Sequence, residues 1–207
     1  MAATRLILAS ASPRRRELLS QLGVQFEVVV ADIDETPVAG EAAEVYVVRM
    51  ALEKARAVKG RLGDSEALVL GSDTAVVIDD EILGKPRDRA DGLAMLARLS
   101  GRVHHVYTAV ASVGPAGREA SRLSVSSVTW RSVSEAERVA YWATGEPCDK
   151  AGGYAIQGKA AVFVSRLEGS FSGVMGLPLF ETAALLERGG VELWRERDEV
   201  ERIESDS

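Results

Sequence analysis

The sequence is poor in three features that would point to a specialised environment. Its single cysteine, Cys148, excludes a disulfide within the chain. It shows no apolar run of about 18 residues and no charged-then-apolar leader, so neither membrane spanning nor secretion is predicted and the cytoplasm is the expected location. Aromatic residues make up 5% of the chain and the formal net charge is -6, which argues against nucleic acid and anionic membranes as partners.

What the sequence contains is ordinary for a folded protein. With 207 residues, 46% of them hydrophobic and 27% charged, the chain is long enough to bury a substantial core. We expect residues 1–190 to form one domain of two lobes. We expect the charge-dense residues 191–207 to form a helix or tail that frays. Because the overall charge is negative, the expected partner is a small phosphorylated molecule held by a local basic cluster.

Such a cluster lies near the N-terminus, where a short apolar strand runs into a turn and then a helix. Pro13 suits the first helical position, and Ser10 and Ser12 supply hydroxyls to the turn. Arginines are unfavourable at a helix start, since the free amides there already carry partial positive charge. The stretch is therefore either a solvated basic run or a phosphate site built from amides, the two hydroxyls, Arg14 and Arg15.

Carboxylates occur where two predicted strands end. The acidic loop at residues 31–37, which contains Glu35, is either a solvated turn or a loop that faces a metal. An apolar strand at 67–70 ends before Asp73, and strand character resumes at 75–78. A carboxylate at a strand end lies at the ligand-binding edge of an α/β sheet, so Asp73 is the best candidate for a metal ligand or base. The alternative is that it caps only its own turn.

Two lysines are candidates for phosphate contacts. Lys54 lies on the helix predicted at 41–59 and reaches phosphate only if its face turns toward the cleft; otherwise it is a surface charge. Lys85 precedes Pro86, which favours an extended backbone from which the side chain can project.

A long glycine-rich loop at 145–158 mixes charged, aromatic and amide side chains. Such a segment is costly to order unless it packs on something, and loops of this kind often carry function. Tyr154 could stack on a base, and Gln157 could bind the edge of the base. The alternative is a flexible surface loop.

The remaining pattern alternates strands and helices, which predicts an α/β fold with a twisted mixed sheet flanked by helices, and with two lobes around a central cleft. His104 and His105 are adjacent in a strand and face opposite sides, so we predict structural roles for both. The other predicted strands are 26–30, 76–78 paired with 82–83, 104–113 paired with 122–130, and 161–167. The other predicted helices are 90–99, one opened by a capping box at 134–137, and 177–186.

Eight short motifs follow one another along the chain: LASASPRR at 8–15, ETP at 35–37, EKA at 53–55, GSDT at 71–74, GKP at 84–86, DKAGGY at 149–154, IQG at 156–158 and GLPL at 176–179. In this order they resemble the Maf family of nucleoside triphosphate pyrophosphatases, whose fold is related to that of inosine triphosphatase. The resemblance covers most of the chain. Phe171 stands where the family usually has tyrosine, and Ala155 where it often has glycine.

The resemblance implies cleavage of a nucleoside triphosphate between its α and β phosphates, with Mg²⁺ or Mn²⁺ as the divalent cation. It also implies that Asp73 is the proton acceptor and that the protein is a homodimer. The residues that match Arg14, Thr74 and Gln157 mark the branch of the family that acts on dTTP and UTP. Thr74 and Gln157 favour this branch over the one that resembles methylated-GTP hydrolases.

The residue chemistry agrees with this implied reaction. Glu35 and Asp73 can hold a metal, and a carboxylate can take a proton from an attacking water. Phosphoryl transfer depends mainly on positioning and charge stabilisation. The groups expected on the triphosphate are Ser10, Arg14, Arg15, Lys54 and Lys85. A nucleotide-binding regulator of cell division with little catalysis is the main alternative, and a nucleic-acid-binding protein is a weaker one.

Overall fold

The computed structural model describes residues 4–62 and 66–194. The strands are β1 (Leu6–Leu8), β2 (Glu27–Val28), β3 (Leu68–Ile78), β4 (Glu81–Leu83), β5 (Val103–Val113), β6 (Glu119–Trp130) and β7 (Val164–Glu168). The helices are α1 (Pro13–Ser20), α2 (Ala43–Leu62), α3 (Arg89–Leu99), α4 (Glu135–Trp142), α5 (Phe171–Met175) and α6 (Leu179–Arg188). None of the helices in these ranges has both the length and the apolarity needed to cross a bilayer.

The seven strands form one mixed sheet, as predicted. Their order is β2-β1-β3-β5-β6-β7, with β4 paired to β3. Strand β1 is parallel to both β2 and β3, whereas every other pair is antiparallel. The parallel part comes from the strand–helix crossovers near the N-terminus. In the antiparallel part, β3 with β4 and β5 with β6 are hairpins, whereas the β3–β5 and β6–β7 pairs are joined through segments that contain a helix. The predicted α/β class with a mixed sheet flanked by helices is confirmed.

Strand β3 is the strand that positions the site. On one side it pairs with β5 along nearly its whole length, from Val69 to Val77. On the other side β1 pairs only as far as Leu70, and β4 begins to pair at Val76. Between these two partners, residues 71–75 present an edge that no strand in the described ranges covers.

The prediction that a turn interrupts this strand was wrong. Gly71, Ser72 and Asp73 disfavour strands, but each has a tertiary reason to be there. Gly71 lies against α2, where a Cβ would stand 2.2 Å from the Ala51 carbonyl oxygen. Ser72 Oγ donates a hydrogen bond to the Ala109 carbonyl oxygen (2.8 Å), and Asp73 pairs with a lysine of α2. Pairing with β5 therefore overrides the local turn signal.

The two faces of the sheet have separate cores. Because side chains alternate along a strand, Ala75 and Val77 of β3 face α2, where they pack with Tyr46 and Met50. Leu70, one residue out of phase with them, faces the opposite side and packs with residues of α1 and α6. By the same alternation Asp73 faces α2 and Thr74 faces the α1, α5 and α6 side.

Several element boundaries differ from expectation. The predicted strand at 26–30 is reduced to Glu27–Val28, and the one at 161–167 begins only after a 3-10 turn at Lys159–Phe163. The short helix α5, which Ser170 caps through its side chain, was not among the predicted elements. The hairpin of β3 with β4, the β5–β6 pair and the capping box of α4 are confirmed.

The C-terminal prediction is covered only in part. Residues 191–194 are not helical, and 195–207 lie outside the described residues. The domain boundary at residue 190 stays a prediction.

Candidate functional site

A cavity of about 680 Å³ wraps around the uncovered edge of β3. Its volume lies in the range of small-molecule sites. It is lined by the β1–α1 turn, the acidic loop, two side chains of α2, the end of β4, the turns around residues 149–157 and the end of α5. All nine residues that the sequence analysis predicted to bind substrate or metal line this cavity. They are Ser10, Arg14, Arg15, Glu35, Lys54, Asp73, Thr74, Lys85 and Gln157.

The β1–α1 turn brings the start of α1 to the cavity. Ser12 caps the helix, since its Oγ accepts a hydrogen bond from the Arg15 amide (3.4 Å), and Pro13 takes the first helical position as predicted. Ser10 Oγ accepts a hydrogen bond from the Ser12 amide (3.1 Å). Arg14 lies on the cavity wall beside this helix start. Of the amides at this helix start, that of Arg14 has no acceptor among the described residues, and together with the Arg14 guanidinium it makes a suitable seat for an anion.

Arg15 is engaged with the protein itself. Its Nε donates to the Gly176 carbonyl oxygen (2.8 Å), Nη1 to Ser10 Oγ (3.5 Å) and Nη2 to Thr74 Oγ1 (3.3 Å). Burial lowers the pKa of Arg15, and the negative charges of Asp73 and Glu35 oppose that shift. The half-buried guanidinium thus links α1 to β3 and to the end of α5, and its contact with phosphate stays a prediction.

On the α2 face of β3 a lysine binds two carboxylates. Lys54 Nζ lies 2.6 Å from Asp73 Oδ1 and 3.0 Å from Glu35 Oε1. Lys54 and Asp73 are 6% and 5% exposed, whereas Glu35 is exposed to solvent. Helix α2 comes close enough for this contact because Gly71 has no side chain. The fold therefore brings together three residues that the sequence analysis proposed separately, namely Asp73, Glu35 and Lys54.

Tyr46 supports the acidic loop. Its hydroxyl donates to the Glu35 carbonyl oxygen (3.0 Å). Burial, together with the charges of Asp73 and Glu35, raises the pKa of Tyr46 to about 12, so the hydroxyl remains a proton donor at neutral pH. Sequence reasoning did not identify Tyr46, because an aromatic residue at helical spacing is indistinguishable from a core residue.

The carboxylates fit a cation that arrives with phosphate better than a resident metal. No group of three His, Cys, Asp or Glu side chains that could hold a metal occurs within residues 4–62 and 66–194. Mg²⁺ commonly takes one or two carboxylates and completes its shell with substrate phosphates and water. Glu35 and Asp73 can supply these two carboxylates. In this structure Lys54 Nζ lies between Glu35 Oε1 and Asp73 Oδ1.

On the other face of β3 the groups around Thr74 are hydroxyls and carbonyls. Thr74 Oγ1 lies 3.1 Å from Thr108 Oγ1 of β5, whose hydroxyl also lies 2.8 Å from the Gly173 carbonyl oxygen. Ser72 Oγ lies 3.0 Å from the Gly176 carbonyl oxygen. Thr108 was missed from the sequence, and the available signal was a hydroxyl residue among the small apolar residues of a buried strand.

The remaining predicted residues lie on the outer part of the cavity. Lys85 and Gln157 line it and are exposed. Tyr154 differs from expectation: its ring is 6% exposed and makes edge contacts with Trp130 and His104, which leaves little surface for stacking on a base. Its hydroxyl lies 2.7 Å from His104 Nε2.

His104 is buried in this aromatic group and His105 is exposed, so the two face opposite sides as predicted. Burial, with a smaller contribution from the charge of His105, lowers the pKa of His104 to about 4. His104 is therefore neutral at physiological pH.

A family model described as Maf-like protein matches residues 5–189. The chain belongs to this family. The resemblance inferred from the order of the eight motifs is thereby confirmed. Maf-like relatives include the dTTP/UTP pyrophosphatase of Myxococcus xanthus, which is 58% identical over 93% of this chain and 96% of that protein. The dTTP/UTP pyrophosphatase of Alkalilimnicola ehrlichii is 57% identical over 92% of this chain and 95% of that protein.

Among solved structures, the Ham1 protein of Staphylococcus aureus aligns with 61% of this chain and 72% of that chain, at 15% identity and a TM-score of 0.44.

Proposed function

We propose that this protein hydrolyses nucleoside triphosphates, dTTP and UTP in particular, to a nucleoside monophosphate and pyrophosphate with the help of a divalent cation. The observation that carries the proposal is that Asp73, Lys54 and Glu35 meet in the cavity that the start of α1 also lines. The names of relatives that are 57% and 58% identical over almost the whole chain support both the reaction and the bases.

The triphosphate binds where positive charge is gathered. Arg14 offers its guanidinium and its backbone amide at the start of α1, Ser10 lines the same wall, and the exposed Lys85 lies on the outer part of the cavity. These groups surround the charge that spreads over the phosphoryl oxygens in the transition state. Arg15 adds positive potential from its half-buried position.

Asp73 acts as the proton acceptor. Its Oδ1 is held by Lys54, and among the described residues its Oδ2 accepts no hydrogen bond, so Oδ2 is the oxygen for the attacking water. The water oxygen forms a bond to the α-phosphorus, its proton passes to Asp73, and the bond to the bridging oxygen breaks. Pyrophosphate leaves with the electron pair of that bond.

Glu35 and Asp73 would hold the divalent cation, which supplies positive charge that polarises the phosphoryl oxygens. Tyr46 keeps the Glu35 backbone in place for this role. Homodimerisation and a cytoplasmic location stay predictions.

The decisive experiment measures pyrophosphate release from a panel of canonical and modified triphosphates, with Mg²⁺, Mn²⁺ or chelator. We expect release from dTTP and UTP that requires the cation. We expect Asp73→Asn to lower turnover at least about 1,000-fold, since a positioned base contributes up to about 10⁴-fold. The matched control is Asp80→Asn, which alters an exposed carboxylate of the β3–β4 turn and should retain wild-type turnover.

The regulator hypothesis predicts a different pattern. A nucleotide-binding protein with little catalysis would bind the triphosphates without cation-dependent release of pyrophosphate, and Asp73→Asn would then leave binding and the absence of turnover unchanged. Near-normal release by folded Asp73→Asn would remove Asp73 from the role of base.

A further inference from the structure

The carboxylate of Glu146, near the start of the glycine-rich loop, accepts hydrogen bonds from three donors. The Tyr141 hydroxyl (2.7 Å) and the Ala160 amide (3.4 Å) donate to Oε1, and the Lys159 amide (3.0 Å) donates to Oε2. The two amides open the 3-10 turn that follows the loop. Hydrogen bonds to an ionised acceptor are about twice as strong as those between neutral groups, so this carboxylate fixes the loop relative to the turn.

Tyr141 extends this attachment to a third amide. It lies on α4 and is 4% exposed, and its hydroxyl accepts a hydrogen bond from the Ala155 amide (3.3 Å) while it donates to Glu146. A phenolic hydroxyl can donate and accept at the same time. Residues 155–160 are therefore attached to the Glu146 carboxylate at both ends, directly at 159 and 160 and through Tyr141 at 155.

Gly158 shows how closely the chain passes this carboxylate. A Cβ on Gly158 would stand 2.4 Å from Glu146 Oε2 and 2.6 Å from Oε1. Glycine leaves room for so close an approach because it has no Cβ. The segment is therefore shaped around the Glu146 side chain, and removal of that side chain should change the path of the segment.

Gln157 lies between these points of attachment. The Gly158 amide donates to the Ala155 carbonyl oxygen (3.0 Å) and closes a turn. Within this turn Ile156 is buried, whereas Gln157 is exposed and lines the cavity. Among the described residues, none forms a hydrogen bond with the Gln157 side-chain amide. The position of that amide thus depends on the backbone of the turn, which the Glu146 carboxylate holds at both ends.

We propose that Glu146 is a positioning residue for base recognition, which holds Gln157 where its side-chain amide meets the edge of the nucleotide base. Groups that bind a ligand keep their geometry only when a supporting shell of hydrogen bonds holds them, so the loss of this carboxylate should misplace the amide. The phosphate groups should be unaffected, because Arg14 and Lys85 line other parts of the cavity. The inference rests on the proposed function and deepens it, since it names the side chain that sets the position of the base contact.

The test measures the binding of two ligands by isothermal titration calorimetry in the presence of Mg²⁺. One is α,β-methylene-UTP, whose bridging methylene group resists hydrolysis, and the other is inorganic tripolyphosphate, which has no base. We expect Glu146→Ala to weaken binding of the UTP analogue about tenfold and binding of tripolyphosphate less than about twofold. Glu135→Ala, which removes an exposed carboxylate of α4, is the control and should leave both affinities unchanged.

A double variant shows whether Glu146 acts through Gln157. If it does, Glu146→Ala should cost less than about twofold in the Gln157→Ala protein, because substitutions that act through one contact are not additive. Glu146→Gln keeps one acceptor oxygen and should recover part of the lost affinity. Tyr141→Phe keeps the carboxylate but removes the acceptor of the Ala155 amide, and it should also weaken the UTP analogue selectively.

A merely structural role for Glu146 would weaken both ligands alike, or would cost the same factor with and without Gln157, and either result would overturn the proposal. So would a Gln157→Ala protein that binds the UTP analogue as wild type does. Should Glu146→Ala fail to fold, Tyr141→Phe decides the matter, since a loss confined to the UTP analogue supports the proposal and any other pattern overturns it.

Pyrophosphate release from UTP separates this inference from the proposed function. Wild-type protein that releases none, with a selective loss of the UTP analogue in Glu146→Ala, would overturn the enzyme and keep the positioning role. Normal release by wild type, with both ligands weakened alike in Glu146→Ala, would do the opposite.

Discussion

The two faces of β3 at its uncovered edge differ in the kind of group they hold. Asp73 faces α2, where its carboxylate is bound by Lys54 and lies near Glu35. Thr74, the next residue, faces α1 and α5, where its hydroxyl lies between the neutral hydroxyl of Thr108 and the half-buried guanidinium of Arg15. Because no strand within residues 4–62 and 66–194 covers residues 71–75 on one side, a single ligand can reach both faces around that edge.

The difference shows how a sheet can separate two tasks. Ionised groups that handle protons and phosphate work best close together, whereas recognition of a base needs an apolar surface and hydrogen bonds of fixed direction. Here the thickness of one strand keeps the two environments apart, although both belong to the same cavity. The following changes should therefore affect one face and spare the other.

The largest effect on stability should come from Lys54→Met. The substitution leaves the buried Asp73 carboxylate without its partner, and breaking a buried pair in this way costs about 3–5 kcal/mol. Urea unfolding at neutral pH measures the loss. Lys85→Met is the control, since Lys85 lines the same cavity but is exposed and should change stability by less than about 0.5 kcal/mol. Equal losses in the two variants would show that Lys54 is not part of a buried pair.

A second effect on the same face should follow from Gly71→Ala. The new Cβ would stand 2.2 Å from the Ala51 carbonyl oxygen, so α2 must move away from β3. We expect a loss of about 3 kcal/mol, at the upper end of what overpacking costs, and a lower turnover because the contact of Lys54 with Asp73 lengthens. Gly60→Ala is the control, since a Cβ there meets nothing within 4 Å. An unchanged melting temperature in Gly71→Ala would contradict the close approach.

The smallest effect should arise on the Thr74 face and depend on pH. His104 shares that face of β5 with Thr108, and burial lowers its pKa to about 4. An unfolded histidine titrates near pH 6.5. As the pH falls below about 6.5, the unfolded chain takes up a proton that the native protein does not accept until about pH 4, so stability falls over that window.

Because of the lowered pKa of His104, the free energy of unfolding should fall by about 2 kcal/mol between about pH 7.5 and about pH 5. Urea unfolding at the two pH values, compared between His104→Gln and His105→Gln, isolates the contribution. The exposed His105 should be replaceable without altering the pH dependence. Identical pH dependence in the two variants would mean that His104 is not held neutral by burial.

The sequence predicted best those features that depend on residues close together in the chain, such as the starts of helices. Ser12 and Pro13 mark the start of α1, and the capping box marks the start of α4, because these residues satisfy helix amides within one turn. The eight motifs also named most of the residues that line the cavity. That these residues line one cavity could be expected from the family resemblance. The hydrophobic periodicity could not predict it, since Lys54 and Asp73 come together only when α2 packs on β3.

What the sequence could not show was decided by partners far along the chain. Gly71 and Ser72 have the composition of a turn, and only pairing with β5 and the close approach of α2 keep them in a strand. The contact between the Thr74 and Thr108 hydroxyls could not be predicted from the sequence either. Thr108 reaches Thr74 because β5 lies beside β3 in the register that pairs the two residues, and a single hydroxyl residue in a strand carries no sign of that register.

The adjacency of Asp73 and Thr74 has a consequence for how the protein can vary. Their Cα atoms are joined through one peptide unit and lie about 3.8 Å apart, a separation that no side-chain rearrangement can alter. Under the proposed function, a nucleotide held beside Thr74 would meet Asp73 at a set offset. Shifts of this strand would disturb choice of nucleotide and rate of hydrolysis together, so independent tuning of either has to come from the helices and loops around it.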